Sequence, residues 1–142
     1  MFSKTYEQRL SLWREFRQDL ETCTNPIQRA IDFYSNAPTV TLNADPWDKA
    51  TWPDPWELLK LNEYCDFTRV LGIGYSLQLT DRFSASDFEI HSYTHNNKGY
   101  VFLLVVDSNH VVGWEKEMCT KLEDLPIKDL RSQHIHSFPK HQ

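Results

Sequence analysis

The chain predicts an α+β fold, and three observations carry that prediction. Apolar residues recur at helical spacing early in the sequence, they alternate at strand spacing later, and the two patterns do not interleave. With 142 residues, 40% apolar and 13% aromatic, a single domain can bury a core without disulfide or metal staples.

The elements follow in chain order. From Ser3 to Thr22, Tyr6, Leu10, Trp13, Phe16 and Leu20 form an apolar stripe opposite Glu7, Arg9, Arg14, Glu15 and Asp19, the pattern of an amphipathic helix. Thr24-Asn25-Pro26 supplies a cap and a proline at the first helical position, so a second helix runs to about Tyr34 with Ile27, Ala30 and Ile31 inward. Residues 35–53 hold Pro38, Pro46 and Pro53 among Asp and Asn and read as an irregular connector, with room for a short strand at Val40 and Leu42. Asp54-Pro55 opens a third helix carrying Trp56, Leu58, Leu59 and Leu61. Past Asn62-Glu63-Tyr64 it either continues to Leu71 or breaks and restarts near Cys65. Ile73, Tyr75, Leu77 and Leu79 alternate with Gly74, Ser76 and Gln78, which predicts a half-buried strand.

Phe88, Ile90, Ser92 and Thr94 alternate with Glu89, His91, Tyr93 and His95, and Asn96-Asn97-Lys98-Gly99 provides hairpin turn chemistry. Tyr100 to Val106 is apolar on both faces, as in a central strand, and Asp107-Ser108-Asn109 turns the chain into a strand at His110 to Trp114. The remainder, residues 116–142, reads as a tail with one short helix at Leu122 to Leu130, broken by Pro126, and a frayed end. The domain thus divides into N-terminal helices (1–36), a core (52–114) and that tail.

Composition excludes some functions. A net charge of −5 with scattered Lys and Arg argues against nucleic acid as a partner. No apolar run reaches membrane-spanning length, and the start lacks the apolar region of a secretory signal. Three cysteines at 23, 65 and 119 form no metal pattern and suit a reducing compartment. His134, His136 and His141 lack a companion ligand at metal spacing, and the Asp45, Asp48 and Asp54 group lacks the glycine of a calcium loop, so no metal and no cofactor are expected. Four glycines leave no phosphate cradle. The prolines and tryptophans at 46, 47, 52, 53, 55 and 56 suit either a carbohydrate- or peptide-stacking surface or core packing and loop stapling. The stripe on the first helix packs on its own domain or on an assembly partner; periodicity leaves both open.

One constellation carries chemistry. Cys65, His91 and Asp107 occur in the order a thiol nucleophile, a general base and an orienting carboxylate require. The interval from His91 to Asp107 is what two adjacent antiparallel strands joined by a short turn span. By base rate Cys65 is a buried thiol, His91 a sheet-face residue beside Glu89 and Tyr93, and Asp107 a turn opener. His95 is the rival base.

Trp52-Pro53-Asp54-Pro55-Trp56-Glu57-Leu58-Leu59, Cys65-Asp66, Leu71-Gly72-Ile73, His91 and Asp107 with Asn109 resemble the motifs of the transglutaminase-like superfamily of cysteine hydrolases, over roughly residues 52–114. The resemblance implies a nucleophile helix packed on an antiparallel sheet, a transglutaminase- or papain-like core. It also implies a peptide or amide substrate cleaved through Cys65, His91 and Asp107, with Trp56, Tyr64 and Asn109 lining the substrate. Where the family approaches its cysteine through glycines, this chain has Asn62-Glu63-Tyr64. The W-P-D-P-W segment is also similar to small proteins of tailed bacteriophages, some of which lack the cysteine. That implies the alternative of a catalytically silent member that binds a protein or peptide or serves assembly, in the host cytoplasm or in a virion.

Overall fold

The structure, a computed structural model, describes residues 1–140. Helices α1 (Tyr6–Thr22), α2 (Pro26–Tyr34), α3 (Pro55–Leu61) and α4 (Asp66–Gln78) precede strands β1 (Phe88–His95), β2 (Gly99–Val106), β3 (His110–Val112), β4 (Thr120–Lys121) and β5 (Leu130–Ser137). The strands form one antiparallel sheet in the order β4-β3-β2-β1-β5. The fold is α+β, with the N-terminal helices where the periodicity put them.

Local chemistry sets the helix ends. Thr5 and Gln8 form a capping box on α1, and Asp54 and Glu57 form another on α3 ahead of Pro55. Asn25 precedes Pro26 as expected but makes no side-chain cap. α3 stops at Asn62, whose φ of 52° is left-handed, and α4 starts afresh with Cys65 as its N-cap. Arg9, buried on α1, donates from Nε to the Leu59 carbonyl at 3.1 Å and from Nη2 to the Lys60 carbonyl at 3.3 Å. It therefore satisfies the orphan carbonyls at the end of α3 and ties the two helices together. Reciprocally, Arg82 donates to the carbonyls of Leu20 and Cys23 while the Glu21 carboxylate accepts from the backbone of Asp81 and Arg82.

α4 corrects the strand expected from Ile73 onward. It lies between α2 and the sheet, buried on every side from Val70 to Gln78, so no polar face exists to display a helical period. Small residues let its neighbours come close. A Cβ on Gly72 would stand 2.7 Å from the Tyr34 ring, and one on Gly74 would stand 2.5 Å from the Phe138 ring. These glycines, alternating with larger residues, imitate the period of a strand. Ser76 is satisfied in the core: its hydroxyl donates to the Gly72 carbonyl at 2.8 Å and accepts from Trp13 Nε1 at 2.9 Å. The Tyr34 hydroxyl, 3.1 Å away, then donates to the same oxygen. Trp13, Phe16 and Leu20 of α1 are all buried in this core, so this part of the apolar stripe packs on its own domain, with Tyr6 and Leu10 half-buried beside it.

The connector places Thr39 beside Tyr64 in an isolated bridge instead of forming a Val40–Leu42 strand. The tail is the other correction. Leu122–Asp124 and Ile127–Asp129 are single 3-10 turns on either side of Pro126, and β5 pairs along β1 where a frayed end was expected. Strand alternation then divides the sheet. Phe88, Ile90, Phe102, Leu104 and Val106 face the helices, with Phe138. Tyr93, Val101, Leu103, Val105 and Val111 face the other way, under Leu125 and Leu130. No helix among the described residues is long and apolar enough to cross a membrane.

Candidate functional site

The three residues expected to form a catalytic triad do not meet. Cys65 is 3% exposed. Its sulfur accepts from the Thr68 amide at 3.5 Å and the Thr68 hydroxyl at 3.4 Å, while the Cys65 amide donates to Thr68 Oγ1 at 2.9 Å. This is a capping box with sulfur in the place usually held by a serine oxygen.

His91 has the parity of Tyr93, on the sheet face away from the helices. Its Nε2 lies 3.1 Å from Glu89 Oε1 and its Nδ1 lies 3.2 Å from the Tyr93 hydroxyl, which accepts from Gln133 Nε2 at 2.7 Å. One proton assignment satisfies every partner: Gln133 donates to Tyr93, Tyr93 to Nδ1, and Nε2–H to the carboxylate. The imidazole is thus held in a polar row along the outer face, with the sheet between it and Cys65. His95, the rival base, caps its own hairpin, its Nδ1 accepting from the amides of Asn97 and Lys98.

Asp107 sits at the opposite end of α4 from Cys65. α4 starts over Phe102 and ends beyond Leu104, and its 13 residues span about 20 Å. Asp107 and Ser108 take φ values of 52° and 55° in the turn closed by the Asn109 amide on the Val106 carbonyl. The Asp107 carboxylate accepts from the Asp87 amide at 2.8 Å. Asn109 spends its carbonyl on Leu122. Tyr64 is 1% exposed and packed edge-on against Phe2 and Tyr34, and burial pushes its phenol far above the ordinary value. Trp56 is part-exposed on the edge of Trp13, on the helical side of the molecule. Among the described residues none of the three lines a cavity together with Cys65. Among the described residues no cluster of three or more His, Cys, Asp or Glu side chains is arranged to hold a metal ion, and His141 lies outside them.

A different region has the shape of a site. A groove of about 610 Å³ opens between α4, α2 and the hairpin end of β2, well within the size of ligand pockets. Ile31, Val70, Ile73, Phe102 and Val112 form its apolar floor, and Asp66, Arg69, Lys98, Glu115, Lys116 and Glu117 its rim. The Lys98 ammonium lies 4.3 Å from the Trp114 ring centroid and donates to the Trp114 carbonyl at 3.2 Å, bridging one end. Arg69 Nη2 donates to Thr39 Oγ1 at 3.2 Å on the opposite bank.

The groove exists because β3 is short. β2 pairs with β1 over all eight residues, but β3 covers only Leu104 to Val106. At Gly113, with φ 110°, the chain leaves the sheet, passing so near β2 that a Cβ there would stand 2.5 Å from the Phe102 carbonyl oxygen. Backbone polar groups alternate sides along a strand. The Asp107 amide bonds toward β1 and the Val106 carbonyl toward β3, so the N–H and C=O of Phe102 and Tyr100 point toward the groove. Among the described residues no strand pairs with them there. The sequence carried a signal for this: an eight-residue strand followed by a neighbour that meets a glycine after three. Comparison of the chain with family models, curated proteins and solved structures finds no match.

Proposed function

We propose that the chain is a binding module that takes an extended peptide segment into this groove, as a further strand on the open half of β2, without hydrolysing it. The N–H and C=O of Tyr100 and the N–H of Phe102, unpaired at the groove wall among the described residues, carry the reading. Strand addition draws its affinity from such main-chain groups and its selectivity from the pockets beneath alternate side chains. The stretch of β2 ahead of its pairing with β3, residues 99–102, matches about four residues of peptide at 3.3 Å each. Alternate side chains of that peptide would enter the floor between Val70, Ile73 and Phe102. The rim carries both signs of charge, which favours a peptide of mixed or no net charge. The outer edge of β5 is a poorer acceptor, because its pairing with β1 is irregular opposite Ser92–Thr94 and it presents Arg131, Gln133 and His134. The occupant proposed is a segment of a neighbouring protein in an assembly, the silent role implied by the phage resemblance.

The test isolates the backbone donor. Peptides selected on the full chain from a random octapeptide library should slow hydrogen exchange of the Tyr100 and Phe102 amides. Tyr100→Ala, which removes the ring and keeps the N–H, should keep most of the binding. Tyr100→Pro, which removes the same ring and also the N–H on the open edge while leaving the β1 ladder intact, should weaken binding by about tenfold or more relative to Tyr100→Ala. Equal binding by the two variants would end the strand-addition reading. Cleavage of the selected peptides that is lost in Cys65→Ala would replace it with the hydrolase.

A further inference from the structure

A second cavity, of about 310 Å³, lies on the other side of Tyr100, bordered by Trp47, Ser92, Tyr93, Thr94, Tyr100 and His134. Its walls are two exposed aromatics, Trp47 at 39% and Tyr100 at 63%, with ring centroids 5.1 Å apart and planes at 68°. They make a corner. Trp47 is held in it by an Asx turn, its amide donating to Asp45 Oδ1 at 3.0 Å, and by the Phe102 ring at 5.8 Å.

The floor has a polar group with nothing to bond. Ser92 is 2% exposed, sits on the helix-side face of β1, and its Oγ has no hydrogen-bond partner among the described residues. Buried hydroxyls are nearly always paired, so an orphan beneath an open cavity is available to a polar group that enters it. The β1–β5 pairing breaks register between Ser92 and Thr94, beside His134, the cross-strand partner of Ser92. Bulges of this kind re-aim side chains at binding sites.

We propose that this corner binds a neutral sugar ring. A pyranose offers an apolar C–H face to an aromatic wall and hydroxyls around its edge. The Ser92 hydroxyl and the His134 imidazole each donate and accept, and the Thr94 hydroxyl, which donates to the Arg131 carbonyl at 3.2 Å, still accepts; this mixture matches a hydroxyl better than a carbonyl or a fixed charge. Among the described residues no Lys, Arg, Asp or Glu lines the cavity, so an anionic or cationic ligand finds no counter-charge there. An apolar amino acid side chain would leave Ser92 unpaired. This site is independent of strand addition, sharing with it only the Tyr100 side chain.

The experiment follows the Trp47 indole N–H resonance of the full chain during titration with methyl glycosides of glucose, galactose, mannose and N-acetylglucosamine, and separately with indole. At least one glycoside should shift that resonance saturably. Isothermal titration calorimetry, which needs no tryptophan reporter, gives the affinities of the variants. Trp47→Ala and Ser92→Ala should weaken binding by roughly tenfold or more. Because Ser92→Ala removes an unpaired hydroxyl, it should leave the denaturation midpoint unchanged or raised, separating lost binding from lost fold. A panel in which no glycoside shifts the signal, a response to indole alone, or equal affinity in Ser92→Ala would each overturn the sugar site.

Discussion

The two faces of the sheet are made from alternate residues of the same strands, yet they are closed in different ways. The inner face is covered by α4, with α2 and α1 behind it; the Ser76 and Tyr34 hydroxyls caught under the helices are satisfied within the core, while Ser92, farther along the same face, keeps an Oγ unpaired among the described residues. The outer face is covered by two single 3-10 turns through Leu122, Leu125 and Leu130, and it accommodates the polar row Glu89–His91–Tyr93–Gln133. One step along β1 moves a side chain from one environment to the other. That step separates Ile90, sealed under the helices, from His91, and it takes the imidazole out of reach of Cys65. The two coverings differ in rigidity and in dryness, and both differences are measurable.

The largest effect expected is alkaline. Burial raises the phenols of Tyr34, Tyr64 and Tyr75 on the helical side, Tyr34 to about 12 from an ordinary 10.0. The unfolded chain therefore loses these protons first. Stability from Tyr34 is whole below pH 10 and is lost as pH rises through about 12, an interval corresponding to roughly 3 kcal/mol. Tyr64 and Tyr75 add to it in the same direction. Tyr93 on the outer face is also raised by burial, but it is less enclosed and partly compensated by Gln133, so it adds less. Urea midpoints should fall steeply above about pH 10, and Tyr34→Phe should flatten the fall more than Tyr93→Phe. Equal flattening by the two would mean the faces are equally dry.

Neighbouring leucines give a sharper comparison. Leu104 and Leu103 are both 0% exposed and differ only in the face they occupy. Leu104 packs under Gly74 of α4, where a helix held on several sides cannot collapse into a void. Leu103 packs under Leu125 and Leu130, carried by short turns that can shift inward. Leu104→Ala should therefore cost about 4 kcal/mol and Leu103→Ala about 2–3 kcal/mol by equilibrium denaturation. A reversed order would make the tail the more rigid cover.

The sequence showed much of the inner face and little of the outer. α1, α2 and α3 were readable because each has a one-sided apolar stripe and capping signals, and β1 and β2 because a turn-forming run separates two periodic segments. α4 was misread because a helix wrapped on all sides loses its periodicity and its glycines restore a false one. β5 was missed because Arg131, Gln133, His134 and His136 look like a solvated tail until β1 pairs with them. The order of Cys65, His91 and Asp107 was visible, but sequence spacing does not register sheet parity or the direction in which α4 crosses β2. The groove depends on a strand that should have continued past Val112, and a strand's early end has only Gly113 as its mark.

The smallest effect expected is also the one that decides what Cys65 is for. As an N-cap its sulfur accepts from the Thr68 amide at 3.5 Å, a role that oxygen fills at shorter range. Cys65→Ser should thus leave stability within about 1 kcal/mol of the parent and can raise it. Peptide and glycoside binding should be unchanged, since Cys65 borders neither cavity. Iodoacetamide should reach the half-buried Cys23 and Cys119 before the sealed Cys65, even though burial raises the Cys119 thiol and slows its reaction. A nucleophile would behave in the opposite way, reacting first and losing all turnover as serine with the fold intact. The same substitution therefore separates a cap from a catalyst: the cap accepts oxygen readily, and the nucleophile does not.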